Sequence, residues 1–258
     1  MADCNIKKIK TLKIKKDNIN IVNEFEDTIV VEHNLKLIIN EKIERNVICY
    51  NSSIKEFIYG HLYTENYINS ILDVSDFFIN DENTLARIKL NSDCDKNLIS
   101  KPQNVSILTT GYRYIEDSKN KNDEIVDKKL DIVNNVLDIM KNSKFLLDSN
   151  ELFKETGCLH SAGLAFNNEI LYYETDLGRH NAVDKVIGCA MLDNKNIEES
   201  VLYTTGRIPT DMIKKVIRSK IKMVITRAAV TYDAIRLARE NNIKLIGFSR
   251  GDSVNIYS

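Results

Sequence analysis

The sequence predicts an α/β protein in two parts, an N-terminal α+β domain over residues 1–100 and an α/β domain with a largely parallel sheet over residues 101–258. Two observations carry that prediction. Beyond Val201 continuous apolar runs alternate with amphipathic helical patterns, as strands covered on both faces do. Within the first hundred residues the runs are short and alternate apolar with polar side chains, as strands with one wet face do. The 258 residues suffice for two such parts, and an apolar content of 43% supports a core of that size.

Taken in order, alternation in Thr28–His33 and Leu35–Asn40 predicts two antiparallel strands, and Asn46–Tyr50 a third. Ser53-Ile-Lys-Glu56 reads as a capping box opening a helix through Ile54, Phe57, Ile58 and Leu62. His61 on that helix reads as a partly buried surface histidine rather than a ligand, since nothing with metal-ligand spacing stands beside it. The stretch Glu116–Lys129 is charged and featureless and reads as a mobile loop, before a helix carried by Leu130, Val133, Val136, Leu137 and Met140. Gly157 marks the end of a short helix over Glu151–Thr156. Asn167-Asn168 is suited to a tight hairpin turn between Ser161–Phe166 and Glu169–Glu174. Strands at Val201–Thr205, Lys222–Thr226 and Ile243–Phe248 then alternate with helices whose apolar stripes are Met212, Ile213, Val216, Ile217 and Ala234, Ile235, Leu237, Ala238.

Composition excludes several classes of function. A formal net charge of −1 gives no broad electrostatic grip on nucleic acid. No run approaches the length of a membrane span, and Met1–Lys10 has lysines without the apolar segment of a secretory signal. Cys4, Cys49, Cys94, Cys158 and Cys189 are odd in number and hold no C-x-x-C pair, so a reducing cytoplasm is expected. Cys49 and Cys189 lie inside apolar patterns and read as small buried hydrophobes.

The chemistry gathers where strands meet helices. Gly178-Arg179-His180 separates an apolar run (Ile170 to Tyr173) from a helix through Val183, Val186, Ile187, Ala190 and Met191. Arg207, Arg227 and Arg250 also follow strand ends, so parallel strands would start all four guanidiniums from one sheet edge, where α/β folds bind ligands. Backbone donors at helix starts and the glycines Gly178, Gly206 and Gly251 would let an anion approach closely. Arginine offers a planar, permanently charged fork suited to phosphate, so a pocket for a phosphorylated or nucleotide-like molecule is the economical reading. The alternative pairs these arginines with Asp176, Asp211 or Asp233 in a structural role. No P-loop, no G-x-G-x-x-G and no G-x-S-x-G is present, and the zinc deaminase signature is missing. His160 and His180 are candidate acid–base groups, with His180 equally able to sit at a helix start and donate to a carboxylate under Asn181 as cap. Asp184 then reads as a capping acid and Lys185 as a solvated surface charge.

Thr156-Gly-Cys-Leu-His-Ser-Ala162, Glu174 through Gly188, Thr205-Gly-Arg207 and Leu245-Ile-Gly-Phe-Ser-Arg250 resemble the formate dehydrogenase accessory sulfurtransferase family, FdhD, in an ordered series over roughly residues 105–258. The resemblance implies a cytidine-deaminase-like α/β domain without the deaminase zinc, a smaller N-terminal α+β domain and a homodimer. It implies binding of the molybdenum bis-molybdopterin guanine dinucleotide cofactor, with GDP as a partial mimic. It also implies delivery to a formate dehydrogenase and sulfur received from a cysteine desulfurase. On this resemblance the cofactor pocket takes His160, Gly178, Arg179, His180, Asn181, Gly206, Arg207 and Arg227, together with Phe248, Ser249, Arg250, Gly251, Asp252 and Ser253. The family's persulfide cysteine has its counterpart in Thr109-Thr-Gly-Tyr-Arg-Tyr114, where Tyr112 takes its place; a phenol forms no persulfide. Cys158 is the one thiol inside a matching motif, open to a structural or a reactive role. Two functions follow as expectations: sulfuration of the cofactor through another cysteine, Cys158 or Cys94, or cofactor binding by a non-catalytic chaperone or regulator.

Overall fold

The computed structural model describes residues 5–14, 22–91, 104–107 and 136–258. Cys4, Cys94, the Thr109–Tyr114 stretch with Tyr112, and the Glu116–Lys129 loop lie outside them. The expected mixed α/β architecture is present, in three sheets of two, five and six strands.

Strands β1 (Ile6–Ile14) and β2 (Val22–Val30) form a separate antiparallel ribbon. The sequence reading passed over β1 and set Thr28–His33 beside Leu35–Asn40; in the structure β2 takes its partner from β1 instead. The five-stranded sheet has the order β5-β6-β3-β4-β7. It is built from β3 (His33–Ile39), β4 (Ile43–Cys49), β5 (Val74–Ile79), β6 (Leu85–Leu90) and β7 (Asn104–Ile107). The β3–β4 hairpin turns through Asn40 and Glu41, both at positive φ, and its alternate residues Leu35, Leu37, Ile39, Ile43, Val47 and Cys49 are buried. Helix α1 (Ile54–Thr64) adds Ile54, Phe57, Ile58 and Leu62 to the same core. The capping box fails. Ser53 is left-handed (φ 48°) and its hydroxyl donates to Glu174 Oε1 at 2.7 Å, so tertiary contact has captured the cap.

The six-stranded sheet has the order β13-β12-β11-β10-β8-β9. Its strands are β8 (His160–Phe166), β9 (Glu169–Asp176), β10 (Val201–Thr204), β11 (Met223–Thr226), β12 (Lys244–Arg250) and β13 (Ser253–Ile256). The β8–β9 hairpin turns on Asn167 and Asn168, both at positive φ, as the sequence predicted. Only β10–β11 and β11–β12 pair parallel, so the sheet is mixed rather than largely parallel: a hairpin lines one edge and β13 returns along the other. Central strands are buried on both faces. Leu202, Val224 and Leu245 join the core shared with α1, whereas Tyr203, Ile225 and Ile246 join a second cluster with Ile139 and Leu146 of helix α2 (Val136–Asp148). A short helix α3 (Glu151–Thr156) ends at Gly157 (φ 69°), as expected.

Helices α4 (Arg179–Leu192), α5 (Thr210–Arg218) and α6 (Tyr232–Glu240) follow β9, β10 and β11. Their apolar residues pack on the sheet face opposite α2. Because α1 covers its outer side, α4 is buried almost all round. A Cβ on Gly60 would lie 1.8 Å from Asp184 O, and one on Gly188 would lie 1.8 Å from Glu56 O, so the two helices touch backbone to backbone.

Candidate functional site

Strand direction gathers the predicted residues. β9 is antiparallel to β8 and β8 to β10, so β9 runs with β10, β11 and β12. Their carboxyl ends share one edge with the start of β8, where His160 is in register with Asp176, and with the start of β13, where Ser253 is in register with Arg250.

A repeated turn forms that edge. Asp176 Oδ1 accepts the Gly178 N–H at 2.9 Å, Thr204 Oγ1 the Gly206 N–H at 3.1 Å, and Thr226 Oγ1 the Ala228 N–H at 3.0 Å. Each strand therefore ends in a buried Asp or Thr that bends the chain two residues on. Thr226 also donates to Gly206 O at 2.6 Å, which clips neighbouring turns together. Sequence reading missed this recurrence, although an Asp or Thr at the end of each apolar run was there to be seen.

The four arginines fall into two pairs. Burial first, then the neighbouring Arg207 guanidinium, push the pKa of Arg179 below its ordinary value, with Asp211 opposing. Arg227 is lowered first by burial and then by Arg250, with Asp148 opposing. Among the described residues none of the four has an ion pair, and the three acids that the sequence offered as partners pair with other side chains. Asp176 pairs with Lys185 at 2.8 Å, Asp233 lies 3.8 Å from Arg236, and Asp211 lies 3.2 Å from His180 Nε2. Gly206 leaves room for Arg179: a Cβ there would lie 2.6 Å from Arg179 Cβ. Of the helix starts, only that of α4 coincides with an arginine; α5 and α6 begin three and five residues beyond Arg207 and Arg227.

His160 sits among Arg179, His180 and Arg207; burial first, then those neighbours, push its imidazole below the ordinary value, with Asp176 pulling the other way. His180 is buried, and its Nε2 faces Asp211 without hydrogen-bond alignment. Burial pushes the Asp211 carboxyl up, but His180, the Met212 N–H and Arg179 hold it below its ordinary value. Arg179 Nε and His180 Nδ1 are buried without a partner among the described residues, whereas His180 Nε2 has Asp211 at 3.2 Å; the free Arg179 donor is suited to an anionic ligand.

The second pair is framed by β12. Phe248 has φ 50°, uncommon for an aromatic residue, beside the bulge between Gly247 and Arg250. The Arg250 guanidinium lies over its ring, 5.2 Å from the centroid. Arg227 donates to Ser143 O at 3.2 Å and Ser249 O at 3.4 Å, and the two serine hydroxyls bond at 2.7 Å, fastening α2 to this end of the sheet. Gly251 (φ 61°) and Asp252 form the exposed turn to β13, which Ser253 opens.

Several assignments change. Asn181 is no cap: Gly178 is, while Asn181 Nδ2 donates to Asp176 Oδ1 at 2.9 Å and Ile48 O at 3.0 Å. Lys185 is fully buried rather than solvated, because α4 turns that side toward the Tyr50 segment. Asp184 is also buried, bound by Lys215 at 2.9 Å and Thr64 at 2.8 Å, and so is His61, 3.3 Å from Asp184 Oδ2. Burial first pushes the Cys49 and Cys189 thiols up to about 12, with the neighbouring carboxylates of Asp176 and Glu174 adding to it. Cys189 is half-buried, and Cys158, between α3 and His160, is the one exposed thiol among the described residues. Those residues hold no group of three or more His, Cys, Asp or Glu that could bind a metal, and no helix long and apolar enough to cross a membrane.

Residues 30–258 match the model of the FdhD/NarQ family. The chain is similar to Protein FdhD of Methanocaldococcus jannaschii, 33% identical over 252 residues that cover 97% of this chain and 96% of that one. It is similar to the sulfur carrier protein FdhD of Bacillus pumilus, 30% identical over 241 residues covering 90% and 88% of the two chains. A crystal structure from Desulfotalea psychrophila, of a protein named for a formate dehydrogenase accessory role, shares the fold with a TM-score of 0.73 at 22% identity, covering 97% and 96%.

Proposed function

The chain belongs to the FdhD/NarQ family, and on that premise we propose that it is an accessory protein of a formate dehydrogenase that binds the molybdenum bis-guanine-dinucleotide cofactor at the shared strand edge. The supporting observation is the set of four arginines at that edge that form no ion pair among the described residues, with a buried partnerless Nε on Arg179 and Nδ1 on His180. Arg179, Arg207 and His160 would hold phosphate charge, and Arg227 and Arg250 a second anionic group, with Phe248 offering a ring face. The cofactor is cargo here: this chain's part is to bind it and shield its charge. GDP titration by calorimetry tests the reading. Arg179→Ala or Arg250→Ala should each weaken GDP by about tenfold to a hundredfold, the scale of one hydrogen bond to a charged group. Absence of GDP binding in the parent removes the proposal.

Sulfur carriage is the second reading, favoured by the exposed Cys158 thiol two residues before His160. A desulfurase persulfide would pass its outer sulfur to the Cys158 thiolate, leaving a cysteine thiol on the desulfurase and a persulfide on Cys158. Incubation with a cysteine desulfurase and cysteine should add one sulfur atom by intact mass, and Cys158→Ser should take it none. Sulfur retained in Cys158→Ser would move the carrier to another thiol; none in either would end this reading.

A further inference from the structure

Asp176 carries more bonds than a turn residue needs. Its Oδ1 accepts the Gly178 N–H and Asn181 Nδ2, both at 2.9 Å. Its Oδ2 accepts the Tyr50 N–H at 3.0 Å and lies 2.8 Å from Lys185 Nζ. Lys185 Nζ in turn donates to Tyr50 O and Thr175 O at 3.0 Å and to Ser52 Oγ at 3.2 Å. Both side chains are fully buried, and all these partners lie in two segments: the chain leaving β4 and the joint between β9 and α4. Arg179 and His180 occupy that joint, inside the bracket formed by Gly178 and Asn181.

We propose that Asp176, with Lys185 as its counter-charge, is the positioning residue that sets Arg179 and His180 for the anion and ties their joint to the segment after β4. A buried ion pair adds little net stability over an apolar pair, so its use here is geometric. One carboxylate satisfies four donors in fixed directions, and an apolar pair cannot direct a backbone turn. The first sheet thereby becomes part of the frame of a site whose cationic groups all come from the second. This inference rests on the anion-binding reading for its ligand but not for its geometry.

The test is the charge-neutral double variant Asp176→Asn/Lys185→Met, which avoids leaving one buried charge alone. Two readouts are taken on folded protein: GDP affinity, and amide hydrogen exchange at Tyr50 and Gly178. Exchange at both amides should speed up, and GDP should bind about tenfold more weakly or worse, the scale on which outer hydrogen-bond partners act on groups they orient. The comparison pair Asp184→Asn/Lys215→Met, equally buried but bonded to α1 and α5, should leave GDP affinity unchanged. If Asp176→Asn/Lys185→Met does not fold, Asp176→Asn/Lys185→Gln, which stays charge-neutral and keeps a donor at position 185, carries the same two readouts with smaller changes. Parental exchange at both amides, or parental GDP affinity beside faster exchange, overturns the proposal. If the parent protein itself does not bind GDP, the pocket reading falls and the exchange result alone decides the positioning role.

Discussion

At the scale of single residues, His160 couples the site to pH. Its folded value lies below 6.5, mainly through burial and then through Arg179, His180 and Arg207. Above pH 6.5 the group costs the fold nothing; below it the unfolded chain takes up a proton that the folded chain resists, so stability falls as pH falls. A bound anion offsets the neighbouring cations and raises that value, so binding draws in a proton. GDP affinity should therefore rise more steeply below pH 6.5 in the parent than in His160→Asn, a comparison that cancels the titration of the phosphate itself. Equal slopes below pH 6.5 in the parent and His160→Asn, measured by calorimetry, would sink the coupling. The four arginines were legible in the sequence because arginine after an apolar run is visible by inspection. Their division into two pairs was not, since neighbours across a sheet are set by strand order.

At the scale of elements, the contact between α1 and α4 is the least forgiving. Gly60 and Gly188 are poor helix formers, by about 1 kcal/mol each against alanine, yet each sits where the facing backbone carbonyl leaves no room for a Cβ. Gly60→Ala should therefore destabilise rather than stabilise, by about 3 kcal/mol or more, because neither partner atom is a flexible side-chain end. A urea midpoint raised by Gly60→Ala would contradict this. Helix α4 was read from sequence as amphipathic with Lys185 in water, which its own stripe of Val183, Val186, Ile187, Ala190 and Met191 supports. Only the tertiary neighbours make both residues buried: α1 and α5 cover Asp184, and the segment after β4 covers Lys185. The same intrusion explains Ser53, whose capping-box spacing was sound while its hydroxyl went to Glu174.

At the scale of the whole molecule, buried charge joins parts distant in sequence. Lys215 of α5 holds Asp184 of α4, which also receives Thr64 and faces His61, both on α1, while Glu65 lies 3.0 Å from Lys215. Burial pushes the Asp184 carboxyl up, but Lys215 and His61 outweigh it and hold it below 3.8. Its stabilising contribution is complete above that value and disappears as pH falls through the folded one. Lys215→Met leaves the carboxylate unpaired and should cost about 3–5 kcal/mol near neutrality. Without its cation the carboxyl titrates high, so acid relieves the variant at pH values where this group's contribution to the parent is still complete. The gap between their denaturant stabilities should narrow as pH falls toward 4; a constant gap would falsify this account.

The sequence by itself determined the mixed α/β class, the hairpin at Asn167-Asn168, the α3 stop at Gly157, and the strand-end arginines. Each depends on local spacing, on residues that tolerate positive φ, or on a motif contiguous in the chain. The tertiary structure alone decided the mixed sheet, the return of β13, the pairing of β1 with β2, and the burial of His61, Asp184 and Lys185. Those outcomes depend on which surface meets which, and Lys185, read as solvated in its own helix, becomes a buried partner once the segment after β4 covers it. The Gly178-Arg179-His180 joint belongs to both: its residues are written in the sequence, and the carboxylate that orients them gains Tyr50 as a partner only when the two sheets meet.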